Sequence, residues 1–195
     1  MDDRVAAVKA ALEAHPAVRS VELVGSRATG RTHALSDWDL SVQADDFQRI
    51  LGDLPGLVEP IRPLHTFWDP YGRHYAYMVL LPGPTKLDIC FFDQPHEYEP
   101  PYEPSAETLQ TMDSHFWDWI LWTEQKRLCG DATQMRESLE LMYTHLLAPM
   151  GVDDDPISVR DAVNAYLGAR DRLEGELHVR IDRTLENEVR PVLSA

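Results

Sequence analysis

Val24-Gly25-Ser26-Arg27-Ala28-Thr29-Gly30-Arg31-Thr32-His33-Ala34-Leu35-Ser36-Asp37-Trp38-Asp39-Leu40-Ser41-Val42 decides how the first half of the chain folds and what chemistry it carries. The segment follows the apolar run Val21-Glu22-Leu23-Val24 and opens on a Gly-Ser pair. Near its end stand two aspartates separated by one residue, Asp37 and Asp39. If Trp38, Leu40 and Val42 form the buried face of a strand, period-two alternation places Asp37, Asp39 and Ser41 on the opposite face. Adjacent carboxylates repel each other, and a divalent cation relieves that cost. The backbone N–H groups and small side chains of Gly25-Ser26 and Ala28-Thr29-Gly30 are suited to a phosphate. A phosphate cradle beside a cation-holding carboxylate pair is equipment for phosphoryl or nucleotidyl transfer.

A third acid fits the same plan. In Lys86-Leu87-Asp88-Ile89-Cys90-Phe91-Phe92, alternation directs Leu87, Ile89 and Phe91 to a core and Asp88 to the other side. Gly-Ser, about ten residues, Asp-x-Asp between apolar residues, and a carboxylate on a later strand resembles the signature of the DNA polymerase beta-like nucleotidyltransferase superfamily. The resemblance covers residues 17–93, about half the chain. It implies that Asp37, Asp39 and Asp88 are catalytic and hold Mg²⁺, two ions in all. It also implies that Gly25 and Ser26 bind the phosphates of ATP or another nucleoside triphosphate.

Working outward, Val5, Val8 and Leu12 recur at helical spacing, predicting a helix over 2–14 that ends before Pro16. Val18 to Val24 reads as a strand. Arg27, Arg31 and His33 form a local basic patch, and Arg27 is the one placed to contact a triphosphate. A short helix is expected over 45–51, closed by Gly52 and Pro55, then an irregular strand over 57–68. Asp69-Pro70-Tyr71-Gly72 is a turn signal. His74–Leu81 and Thr85–Phe92, joined by Pro82-Gly83-Pro84, read as a hairpin carrying Asp88 beside the Asp37/Asp39 strand. His65 and His74 stay outside the site.

The period changes after Gln94 to Ser105, whose four prolines mark a linker. Beyond it helices are expected over 105–128, over 132–147 and from Ser158 to the residue before Pro191. The fold expectation is therefore α+β. A nucleotidyltransferase catalytic domain (1–95, a mixed sheet flanked by helices) precedes a Pro-rich linker (96–104) and an α-helical bundle (105–195). The helix over 105–128 places Asp113 and Glu124 on an apolar stripe, and burial raises a carboxylate towards the working range of a general base. Glu124 is thus a candidate base for deprotonating an acceptor hydroxyl, with pairing to Lys126, Arg127 or a C-terminal arginine as its alternative.

The formal net charge of −15 argues against general binding of nucleic acid, which needs a basic surface to displace counterions. It suits a cationic small molecule. No apolar run approaches the length of a membrane span, and the N-terminal residues have no signal-peptide pattern. Cys90 and Cys129 lack ligand-like spacing, which fits a reducing cytoplasm. A catalytic core followed by helices resembles the aminoglycoside and lincosamide nucleotidyltransferases, which modify hydroxyls of these antibiotics. The resemblance implies adenylyl transfer to a small-molecule acceptor and a role in antibiotic resistance. The alternatives are an antitoxin of minimal-nucleotidyltransferase type that modifies or masks a protein partner, and a nucleotide-binding module without turnover. The helical half also offers a surface for a homodimer.

Overall fold

Hydrophobic alternation organises the first half of the chain around a five-stranded sheet. The computed structural model describes residues 1–32 and 35–193. They divide into two compact units, Met1–Glu99 and Pro100–Ala195.

In the first unit, β1 (Val18–Val24), β2 (Trp38–Ala44), β3 (His65–Trp68), β4 (His74–Leu81) and β5 (Thr85–Pro95) form a sheet of order β1-β2-β5-β4-β3. Only β2 and β5 run parallel; the other pairs are antiparallel, so the sheet is mixed. Leu40, Val42, Leu87, Ile89 and Phe91 lie on one face and are fully buried. Against them pack Val5, Val8 and Leu12 of α1 (Asp3–Glu13) and Ile50, Leu54 and Val58 of α3 (Phe47–Val58). Each such side chain contributes about 1.5–3 kcal/mol on leaving water. That burial fixes the register, since a slip of one residue would turn Asp39 and Asp88 into the apolar layer.

Two expectations fail between β2 and β3. The helix after Asp45 does not stop at Gly52 and Pro55 but runs to Val58, with Pro55 inside it. Asp46 caps it, accepting from the Arg49 N–H at 3.1 Å. Ile50, Leu54 and Val58 recur at one-turn intervals on its buried side, and their burial outweighs the proline's cost. The expected long strand is consequently reduced to the four residues of β3, preceded by a 3₁₀ turn at Glu59–Ile61.

The second unit is helical: α4 (Leu109–Leu128), α5 (Ala132–Met142) continued by a π-helical turn at Tyr143–Leu147, α6 (Val159–Leu177) and α7 (Thr184–Val189). Ser105 accepts from the N–H groups of Glu107 and Thr108 one turn before α4 starts. Fourteen of the twenty residues of α4 are buried, so it is a central helix rather than an amphipathic one. Phe116 stacks on Tyr166 of α6 at 3.8 Å between centroids, and Thr123 shares a 2.6 Å hydrogen bond with Ser138 of α5.

The last helix is not continuous. His178 takes a left-handed conformation (φ 55°) and ends α6, and no helix resumes until Thr184. The buried Glu174 carboxylate explains the break. It accepts from the Ile181 N–H at 2.9 Å and from the guanidinium groups of Arg180 and Arg183 at 3.2 and 2.6 Å. A straight helix would carry those donors away from it. α7 ends at Val189, before Pro191 as expected, and a 3₁₀ turn, Arg190–Val192, follows it.

Asp113 in α4 yields a pH prediction for this unit. Its carboxylate accepts from Trp117 Nε1 at 3.1 Å and from the Tyr166 hydroxyl, with Arg170 Nη1 at 3.9 Å. Burial pushes its pKa up from 3.8 to about 6, against the opposing pull of Tyr166, Arg170, Trp117 and Arg183. A carboxyl whose folded pKa is raised holds its proton more tightly in the native state. Its contribution is therefore complete below the unfolded pKa and is lost as pH rises from about 4 to about 6. Asp113→Asn removes this titration. In urea unfolding followed by tryptophan fluorescence, the variant should gain about 3 kcal/mol on the wild type across that window. A pH-independent difference would contradict it.

Among the described residues, no helix is long and apolar enough to cross a membrane.

Candidate active site

β1 ends at Val24, and the chain turns at Gly25 with φ +72° into the one-turn helix α2 (Gly25–Ala28). The glycine is required by what lies above it. A Cβ at position 25 would stand 2.1 Å from Asp39 Oδ2, so the carboxylate rests directly on the turn. The Thr29 hydroxyl donates to the carbonyls of Gly25 and Ser26 at 3.2 and 3.1 Å, and the Arg31 N–H donates to Ser26 at 3.0 Å. These bonds fix the turn and leave its start as the part a phosphate could reach.

Arg27 is held at the entry to β2. Its Nε donates to the carbonyls of Ser36 and Asp37 at 2.9 and 3.1 Å, and its Nη2 to Ser36 at 2.6 Å. The guanidinium also lies 4.2 Å from the centre of the Trp38 ring. Arg27 therefore clamps the entry to β2 and sets where Asp37 begins the acidic pair. Arg31 is exposed, its Nε 3.4 Å from Thr29 Oγ1. His33 lies outside the described residues.

The register of β2 and β5 completes the cluster. Leu40 is paired with Ile89, both fully buried in the core, and Asp39 is paired with Asp88. Neighbours in a parallel register project to the same side, so the two aspartates stand together on the face opposite α1 and α3. Asp37 and Asp88 are buried, at 7% and 8% exposure. The Asp88 carboxyl is pushed well above the usual range, first by burial and further by the charges of Asp37 and Asp39, while Lys86 pulls it down. Lys86 is itself buried, with Nζ 3.4 Å from Asp88 Oδ2. Asp88 Oδ1 is buried with no hydrogen-bond partner among the described residues.

Carboxylate oxygens are the ligands of hard divalent cations such as Mg²⁺. The crowded negative charge and the orphaned Asp88 oxygen fit such an ion. Even so, among the described residues no three His, Cys, Asp or Glu side chains are gathered closely enough to hold one outright.

Of the remaining candidates, Glu124 belongs to the second unit. It is 99% buried by side chain, and Arg127 grips both its oxygens at 2.7 and 2.8 Å. This is the ion pair weighed as its alternative role. Cys90 is buried and Cys129 exposed, and both are free thiols. His74 packs on Phe92 at 4.5 Å and His65 on Phe67 at 5.8 Å. Lys86 is the residue that sequence reasoning passed over, although its position two before Asp88 put it on the same strand face.

No protein-family model matches the chain, and no curated protein is similar to it in sequence. Solved structures similar to it include an aminoglycoside 6-adenyltransferase from Bacillus subtilis, 10% identical, with 96% of this chain and 95% of that one covered and a TM-score of 0.34. Another is the polymerase core of TRAMP, an RNA surveillance complex, 13% identical, with 90% of this chain and 57% of that one covered and a TM-score of 0.41. Likenesses this distant carry no argument about activity, which rests on the residues themselves.

Proposed function

We propose that the chain is a Mg²⁺-dependent nucleotidyltransferase that moves a nucleoside monophosphate from ATP, or another nucleoside triphosphate, to a hydroxyl of a small molecule. The observation that carries this reading is the pairing of Asp39 with Asp88 on one sheet face, with the Asp39 carboxylate seated on the Gly25 turn. The Gly25 turn, the Asp37/Asp39 pair and Asp88 come from three separate stretches of sequence, and the resemblance of the Gly-Ser and Asp-x-Asp motif supports reading them as phosphate-binding turn and acidic triad.

In this reading Asp37 and Asp39 hold the ion, and Ser26 with the backbone of its turn holds the β- and γ-phosphates. Bound there, the ion would neutralise charge building on the transferred phosphoryl group. Arg27 holds the backbone at Ser36 and Asp37, and so orients the acidic pair. The acceptor oxygen attacks the α-phosphorus, forming a new P–O bond as the bond to the β-phosphate breaks. Pyrophosphate leaves, and in this reading Asp88 takes the acceptor's proton. The net charge of −15 favours a cationic acceptor of aminoglycoside type.

The test is pyrophosphate release from each nucleoside triphosphate with Mg²⁺ across aminoglycosides and lincosamides, with mass spectra of the acceptors. An acceptor heavier by one nucleoside monophosphate supports the reading and names nucleotide and acceptor together. Release that persists unchanged in the Asp37→Ala/Asp39→Ala double variant would contradict it.

A further inference from the structure

Lys86 is a lysine where a soluble protein rarely puts one. Its side chain is 4% exposed, on β5, and its ammonium faces the carboxylate that completes the acidic cluster. A buried ammonium is costly unless paired, and burying Asp88 without a counter-charge is equally costly. The pair is therefore built into the sheet, since strand alternation makes residues 86 and 88 neighbours on one face. One oxygen of Asp88 faces this buried positive charge at 3.4 Å.

We propose that Lys86 is a positioning residue that supplies the site's second positive charge, so that the site takes one divalent cation, held by Asp37 and Asp39, where two would otherwise be expected. This rests on the nucleotidyltransferase reading and narrows it. A second ion at Asp88 would have to sit beside an ammonium that cannot withdraw to water. Lys86 also faces Asp88 Oδ2, while Oδ1 is buried with no hydrogen-bond partner among the described residues.

Protein-bound manganese, counted by equilibrium dialysis and electron paramagnetic resonance, tests this on the full chain with one equivalent of a non-hydrolysable ATP analogue. The wild type should bind one Mn²⁺ per chain. Lys86→Met, which removes the charge and keeps the length, should bind two, and Lys86→Arg should return to one. Two ions on the wild type would overturn the inference and leave the nucleotidyltransferase reading standing. One ion on Lys86→Met, with circular dichroism matching the wild type, would also overturn it. If Lys86→Met does not fold, Lys86→Gln carries the same test: two ions support the inference, and one overturns it. No bound manganese on the wild type, or binding indifferent to Asp37→Ala/Asp39→Ala, would overturn both.

Discussion

On the proposed reading, Asp39→Asn should lower nucleotide-dependent pyrophosphate release by roughly two to three orders of magnitude, while thermal stability holds or rises. The loss in rate follows from position. Removing a ligand of the catalytic ion forfeits several kcal/mol of transition-state stabilisation, and each tenfold in rate corresponds to about 1.4 kcal/mol. The gain in stability follows from crowding. Asp39 carries no share of the apolar core, and its charge is one of those pushing the Asp88 carboxyl upward. An amide of the same shape keeps the contact with Gly25 and removes the repulsion. Steady-state kinetics together with a melting curve separate the two effects. A merely structural carboxylate would lose stability and leave the rate of the folded fraction unchanged. Finding that pattern would remove Asp39 from the site.

The sequence made the frame around that site legible where the local pattern and the tertiary contacts agree. β1 and β4 occupy the residues their alternation predicts, and the placement of Asp39 and Asp88 on one face follows from Leu40, Leu87, Ile89 and Phe91 belonging to the core. Where distant contacts override local punctuation, the reading failed. Gly52 and Pro55 are breakers in isolation, yet the Ile50-Leu54-Val58 stripe carries α3 through them. Nothing local near His178 announces the end of α6; the end is set by the partners that gather around Glu174. The same limit applies to charges. Arg27 beside the Gly-Ser pair read as a phosphate ligand because its sequence neighbours are the turn. Its contacts instead lie nine and ten residues on, with the carbonyls of Ser36 and Asp37. Lys86 was within reach of simple alternation and was missed because attention to acids passes over the cation between them.

Gly25→Ala should disable the site almost as completely as loss of Asp39, through geometry alone. The residue sits at φ +72°, where an alanine costs about 1–2 kcal/mol of backbone strain. The larger effect comes from its Cβ, which would lie 2.1 Å from Asp39 Oδ2 and 3.0 Å from its Cγ. The obstructed group is the end of a side chain, so the fold survives by swinging the carboxylate aside. A displacement of about 1 Å in a catalytic group can cost roughly a hundredfold in rate, and that is the loss expected here, with weaker Mn²⁺ binding alongside. Gly30 provides the control. It has nearly the same conformation, φ +73°, but nothing lies within 4 Å of the Cβ an alanine would add. Gly30→Ala pays the strain without touching Asp39, so the two variants should lose similar stability and differ about a hundredfold in rate. Equal rates would mean that the contact between turn and carboxylate is packing, with no part in the chemistry.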